Sequence, residues 1–347
     1  MPKTVQGTTN QEHRTRNSSI PPSFRIPHYA FRIALAAVVA AGGAAVGAQS
    51  LSYTKGQNVA PAYEGWEQDA NGTKYFLFGY MNRNWEEEID VPIGPDNGFN
   101  VGAADQGQPT HFLPRRNRFM FRVKVPANFG EKDELIWTLT THGKTEKAYA
   151  TLRPDYIVDD VVRASETGAL GAGTSSPETR SNKAPTLGIE EIKTRTVKVG
   201  ETLTAVSIVK DDGIPKRRIP SREAIQRAQA RAAEDPALAA ALRNPGMSPP
   251  TRITVGKNLG LHVSWFVYRQ PEGAKVTFDP PQVKAWEDTR AGANSPWAPA
   301  WTATPIPDDG KQPVSITFSA PGTYVLRCRA DDGALVADEE VTIVVTK

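Results

Sequence analysis

The chain has 347 residues, 39% apolar and 23% charged, with a formal charge of +3 and one cysteine. That length supports two ordinary domains with separate cores, and a lone thiol excludes a fold stapled by disulfides within the chain. Of 41 basic and 38 acidic residues, Lys3, Arg14, Arg16, Arg25, Arg32 and Glu12 fall in residues 1–48, leaving 36 and 37 beyond, a near-neutral remainder that excludes bulk attraction to nucleic acid.

Residues 1–32 are polar and basic, and Ile33–Ala48 then runs without a charge to end on Val46-Gly47-Ala48. A basic flank, a short apolar run and small residues before a cleavage point form the pattern of a secretory signal, so cleavage after Ala48 is expected. A retained anchor is the alternative, but an Ala- and Gly-rich run falls short of the roughly 20 strongly apolar residues that span a bilayer. No second stretch of spanning length follows, so the product is expected to be exported, to the periplasm, cell surface or exterior, without an integral span.

Residues 59–160 read as a first β-sandwich. Arg118–Val125 alternates, placing Phe119, Phe121, Val123 and Val125 on one face, and Lys74–Met81 is apolar on both faces, which suits a central strand. Leu135–Thr141 and Lys144–Leu152 flank His142-Gly143 as a hairpin whose Gly supplies a positive φ. Residues 161–185, rich in Gly, Ser, Thr and Pro, read as a flexible linker.

Strand signals resume in residues 186–347. Leu261–Tyr268 holds a central Trp265, and Val314–Phe318 leads into the Pro321-Gly322 turn. Tyr324, Leu326, Cys328 and Ala330 then share one face, which predicts a buried thiol, and Val341, Ile343 and Val345 mark a closing strand.

The run Phe318-Ser319-Ala320-Pro321-Gly322-Thr323-Tyr324, followed by Asp331-Asp332-Gly333 and Val341–Val345, resembles the PKD-type immunoglobulin-like domain of bacterial secreted and surface proteins. Asn182–Pro185 and Asp211-Asp212-Gly213 are similar as well, so the likeness covers most of residues 182–347. It implies an immunoglobulin-like sandwich for that part and a role as spacer, adhesion or binding module; with the first sandwich read from its strand periodicity, the chain is expected to be all-β, two immunoglobulin-like sandwiches in tandem. It carries no catalytic residues. Two insertions depart from the pattern. One at 214–252 is expected to be helical, with starts near Ser221 and Asp235-Pro236, and one at 284–312 is a Pro- and Trp-rich loop.

Three groups are candidate sites. Trp286, Trp297 and Trp301 in the second insertion can stack on sugars or anchor a partner, or simply pin the loop to the sandwich. Arg217, Arg218 and Arg222, with Lys216, Arg227 and Arg231, can contact anionic polymers or lie solvated on a helix face. The acids and amides Glu86–Glu88, Asp90, Asp96, Asn97, Asn100 and Asp105, like Asp331, Asp332 and Asp338, fit no EF-hand spacing; no cofactor is expected, and only weak Ca²⁺ binding is left open beside plain turn chemistry.

His111, His142 and His262 are far apart in sequence, and no zinc, nucleophile-elbow, phosphate-loop or dinucleotide motif occurs. The reading is therefore a non-enzymatic exported interaction module or structural spacer of the envelope or exterior, binding an unidentified envelope protein or glycan. The alternative is a carbohydrate-binding module that uses its exposed tryptophans.

Overall fold

Short strands with alternate side chains meeting at one aromatic centre build the first sandwich. In the computed structural model, residues 55–166, 177–190, 194–216, 230, 255–256, 260–282, 284–286 and 305–347 are described. The first eight strands are β1 (Val59–Gln68), β2 (Lys74–Asn82), β3 (Ile89–Asp90), β4 (Asn97–Phe99), β5 (His111–Phe112), β6 (Arg115–Lys124), β7 (Leu135–Thr141) and β8 (Lys144–Ala150). They form sheets β1-β2-β6 and β4-β7-β8 with a small β3-β5 pair. The central position of β2 explains its two apolar faces, since Phe76, Leu77, Phe78 and Tyr80 are all buried. Trp137 sits edge-on to Phe121 at 5.0 Å between centroids and to Phe78 at 5.8 Å, the T-shaped arrangement that ring quadrupoles favour. At the β7–β8 turn both His142 (φ 49°) and Gly143 (φ 71°) are left-handed, as a two-residue hairpin turn of matching twist requires.

Strict alternation fails in β6. Tyr80 pairs with Asn117 and Phe78 with Phe121, so the single residue Gly79 faces Arg118, Phe119 and Met120. The extra residues form a bulge, with Phe119 left-handed at φ 49°. Met120 is consequently buried, whereas Phe119, expected on the core face, is only half-buried and lies under the Arg163 guanidinium, 5.2 Å from its ring. Gly79 permits the bulge, because a Cβ there would lie 2.3 Å from Glu64 Oε1 and 2.4 Å from the Asn117 carbonyl oxygen.

After a 3₁₀ turn at Pro154–Tyr156 come two short helices, α1 (Asp160–Glu166) and α2 (Pro177–Ser181). Within residues 161–185, expected to be a flexible linker, 161–166 and 177–181 are helical, with Asp159 accepting the Val162 N–H at the start of α1; residues 167–176 lie outside the described part.

The second sandwich comprises β9 (Thr186–Ile189), β10 (Thr194–Lys198), β11 (Leu203–Lys210), β12 (Val255–Gly256), β13 (His262–Arg269), β14 (Val276–Asp279), β15 (Ala285–Trp286), β16 (Lys311–Phe318), β17 (Gly322–Asp331) and β18 (Val336–Thr346). Sheet β10-β18-β17-β13 packs on sheet β14-β16-β11-β9, and among the described residues β12 pairs with β15 alone. Tyr324, Leu326 and Cys328 lie inside with Trp265, Ile316, Val341, Ile343 and Val345, as their alternation predicts. Burial pushes the Cys328 thiol up, so it stays protonated and packs as a small hydrophobe. The chain is all-β in architecture, two immunoglobulin-like sandwiches in tandem. Of the 214–252 insertion only residues 214–216 and 230 are described, Ala230 being helical, so the two expected helices lie outside the described residues.

Candidate functional site: the seam and cleft between the sandwiches

Strand β13 belongs to both cores. Alternation sends Trp265 and Val267 into the second core and turns Phe266 and Tyr268 outward. Those outward rings are not solvated. They join the first core, in the same cluster as Phe112, Met120, Phe121 and Trp137. Residues 52–347 accordingly form one compact unit.

Polar contacts lock the seam around this apolar centre. The Tyr268 hydroxyl donates to the Gly107 carbonyl, and the Thr110 N–H donates to the Tyr268 carbonyl at 3.2 Å. Arg269 donates through both terminal nitrogens to Asp105, 2.8 Å each, and through Nε to the Gln108 carbonyl at 3.0 Å. Asp90 accepts from Gln270 Nε2 at 3.1 Å and from the Gly273 N–H at 3.0 Å. His111 Nδ1 lies 2.7 Å from the same carboxylate. Lys284 Nζ donates to Asn117 Oδ1 at 2.7 Å, close to the β6 bulge.

A second layer comes from β17 and β18. Arg327 and Arg329 alternate with the core residues of β17 and so look solvent-facing in sequence, yet they are 6% and 2% exposed. Each is fully engaged. Arg329 makes two 2.7 Å bonds to Asp338, while Arg327 donates to Glu340 and to the Met120 carbonyl of the β6 bulge, its guanidinium 3.7 Å from the Tyr268 ring centroid.

Electrostatics follow these pairings. Burial alone would raise Asp338, but Arg329 and Arg327 outweigh it and hold the carboxyl below the ordinary range. Asp90 behaves likewise, with bonds from His111, Gln270 and the Gly273 N–H overcoming its burial. Asp105 is held low chiefly by Arg269. Burial pushes the Tyr268 phenol up to about 12, so it remains a neutral donor.

Beside the seam opens a cleft of about 520 Å³, whose charged lining is Arg122, Arg163, Arg269 and Arg327 against Glu67, Asp105, Asp338 and Glu340. The four cations and four anions balance, so the cleft is no funnel for ions of one sign. Each arginine has a carboxylate partner: Arg122 and Arg163 share Glu67, Arg269 takes Asp105, and Arg327 takes Glu340. Among the described lining residues none is a histidine, serine or cysteine. This arrangement suits holding two bodies in register rather than moving protons.

The sequence candidates are distributed differently. The backbone of Trp286 lies in β15 opposite Gly256, while Trp297, Trp301, Arg217, Arg218 and Arg222 lie outside the described residues. Of the acids, Asp90 and Asp105 turn up in the seam, as does His111, which sits 4% exposed between Asp90 and Glu88. Asn97 is a core strut that donates to the Val91 and Pro109 carbonyls and accepts from the Trp137 indole. Asp331 and Asp332 cap their own turn by accepting the Gly333, Ala334 and Leu335 N–H groups. Among the described residues no group of three or more His, Cys, Asp or Glu side chains is placed to hold a metal ion. No described helix is long and apolar enough to cross a membrane.

No family model and no curated protein matches the chain. Solved structures similar to it include domains 4 and 5 of the S-layer protein SbsC, 8% identical, with 62% of this chain covering 66% of that one at a TM-score of 0.23. The N-terminal eight immunoglobulin domains of Down syndrome cell adhesion molecule are 9% identical over 83% of this chain and 27% of that one, TM-score 0.21. The D00-D0 domain of intimin is 8% identical over 83% of this chain and all of its own, TM-score 0.21. The chain spans less than two thirds of the S-layer fragments, 28% in the case of SbsC domains 1–6.

Proposed function

We propose that the chain is a non-enzymatic, exported structural and interaction module in which two fused sandwiches hold their outer loops at a fixed spacing in the envelope or exterior. The observation that carries this reading is the sharing of β13: Phe266 and Tyr268 complete the core of the first sandwich while Trp265 and Val267 complete that of the second. Tandem domains ordinarily move unless their interface is large and apolar. Here the interface is continuous with both cores, so rigidity is built in. Charged cleft residues that are paired, and a His111 engaged by two carboxylates and buried in the seam, support a scaffold rather than a catalyst. The signal-like start of the chain supports export. A PKD-type character for the second sandwich rests on its Pro321-Gly322-Thr323-Tyr324 turn and Asp331-Asp332-Gly333 turn.

Two measurements test it. Nitroxide labels at the exposed Lys147 and Lys198, one in each sandwich, should report a single narrow distance by pulsed electron resonance. A broad distribution overturns the rigid module. Fractionation of cells producing the full chain should place the processed protein outside the cytoplasm, and cytoplasmic retention of the intact chain overturns export.

A further inference from the structure

We propose that the second sandwich carries, between its sheets, a pocket for a carbonyl group borne on a small apolar body, with the Trp265 indole as principal donor. A cavity of about 140 Å³ lies there, lined by His262, Val263 and Trp265 of β13, by Gln312 and Val314 of β16, by Gln282 and Lys311, and by five prolines. At about 30 Å³ per water-sized unit this holds a group of roughly five heavy atoms.

The donors define the ligand. Trp265 is 3% exposed and its Nε1 has no hydrogen-bond partner among the described residues; Gln312 Nε2, on the inward face of β16 beside Val314, is buried and likewise unpartnered among them. Indole nitrogen is donor only, so rotation cannot turn it into an acceptor, and leaving it unpaired away from water is costly. A carbonyl oxygen accepts from such donors and has no proton of its own to place. The walls disfavour other chemistry. His262 is buried, with its Nδ1 3.1 Å from the Gly260 carbonyl oxygen. Proline rings offer CH₂ surface and no N–H. Lys311, the cation at the rim, is engaged by Glu190, so a carboxylate would enter without a free counter-charge. A hydroxyl is the weaker acceptor and must also place its own proton, for which the Pro280 and Gln312 carbonyls offer only the lone pair left beside Gln282 and Ser207, while Gln282 Oε1 already accepts the backbone N–H of Trp265. An amide or acyl carbonyl flanked by carbon fits, whether free or on the backbone of a bound strand.

The test uses the ¹⁵N-labelled full chain and the indole Nε1–H resonance of Trp265, assigned with Trp265→Phe or, where that variant does not fold, by nuclear Overhauser contacts to Val314. Titration with N-methylacetamide is expected to give a saturable downfield shift, with acetate and tert-butanol each binding about tenfold more weakly, and Gln312→Leu weakening the amide by up to about tenfold. An acetylated trialanine methylamide separates the sources. Tighter binding than N-methylacetamide assigns the pocket to a partner strand, equal or weaker binding to a free small amide. The proposal is overturned if the shift is absent or non-saturable, if it is equal for all three small probes, or if the indole proton exchanges at the rate of free indole, which would mean water holds the donor.

Discussion

Arg269 grips Asp105 through two parallel 2.8 Å hydrogen bonds across 164 residues of sequence, joining the edge of β13 to a loop of the first sandwich. The pair is the solvent-facing member of a seam whose interior is Tyr268 and Phe266. Asp105→Ala should therefore cost only about 1 kcal/mol, because its carboxylate is half-exposed and screened. Urea unfolding at neutral pH measures this directly.

Tyr268 should matter far more. Tyr268→Phe removes the bond to the Gly107 carbonyl and is expected to cost about 1 kcal/mol, whereas Tyr268→Ala also empties a site shared with the first core and should cost about 3–5 kcal/mol. The first sandwich should feel the truncation although the residue belongs to the second. Near-ultraviolet circular dichroism of the Trp137 cluster checks this.

Acid should loosen the seam. Asp90, Asp105 and Asp338 all sit below the ordinary carboxylate value of 3.8, so their contribution is complete above that value and is lost as pH falls through their lower folded values. Unfolding midpoints in urea should fall steeply below about pH 4. Asp90→Asn, which keeps an acceptor but no charge for His111, Gln270 and Gly273, should flatten part of that fall.

Asp332 has the opposite sign. Burial outweighs the bonds from Leu335, Ala334 and Asn182 and raises it from 3.8 to about 6, so the folded chain binds its proton more tightly than the unfolded chain in that window. Stability from this group decreases as pH climbs from about 4 to about 6. Asp332→Asn removes that loss, and once the Asn182 amide flips the new Nδ2 can donate to Asn182 Oδ1, an oxygen without a partner among the described residues, in place of the Asn182 bond it gives up. The variant should gain on the order of 1 kcal/mol over the parent at pH 7 and nothing at pH 4, read from paired urea titrations.

Gly79→Ala tests the β6 bulge. A methyl group 2.3 Å from Glu64 Oε1 and 2.4 Å from the Asn117 carbonyl must displace backbone, at a cost of about 1–3 kcal/mol. Because the bulge presents the Met120 carbonyl to Arg327, the variant should also perturb the seam, visible as faster amide exchange in β17.

Regular alternation made much of the fold legible in the sequence. Tyr324, Leu326 and Cys328 declare the inner face of β17, and the two-sided apolar run of β2 declares a central strand. What alternation cannot show is which body covers a face. The outward set Phe266 and Tyr268 of β13 is apolar, a signal that its second face is also covered, yet only the three-dimensional structure identifies the cover as the first sandwich. Arg327 and Arg329 look solvated until Asp338 and Glu340 on the neighbouring strand are seen to neutralise them under the seam. Phe119 misleads because a bulge inserts residues that break the period of two. The candidate site was legible only in fragments, because Asp90, Asp105 and His111 appear in the sequence as scattered polar residues and meet Gln270 and Arg269 only through tertiary packing.

The central claim is that the two sandwiches are one cooperative body joined through β13, and ¹⁹F NMR of the chain labelled with 5-fluorotryptophan tests it most directly. Trp137 reports the first core and Trp265 the second. Both native resonances are expected to vanish at the same urea concentration, and Tyr268→Ala to shift both to lower urea. Two well-separated transitions, with Tyr268→Ala moving only the Trp265 resonance, would contradict it.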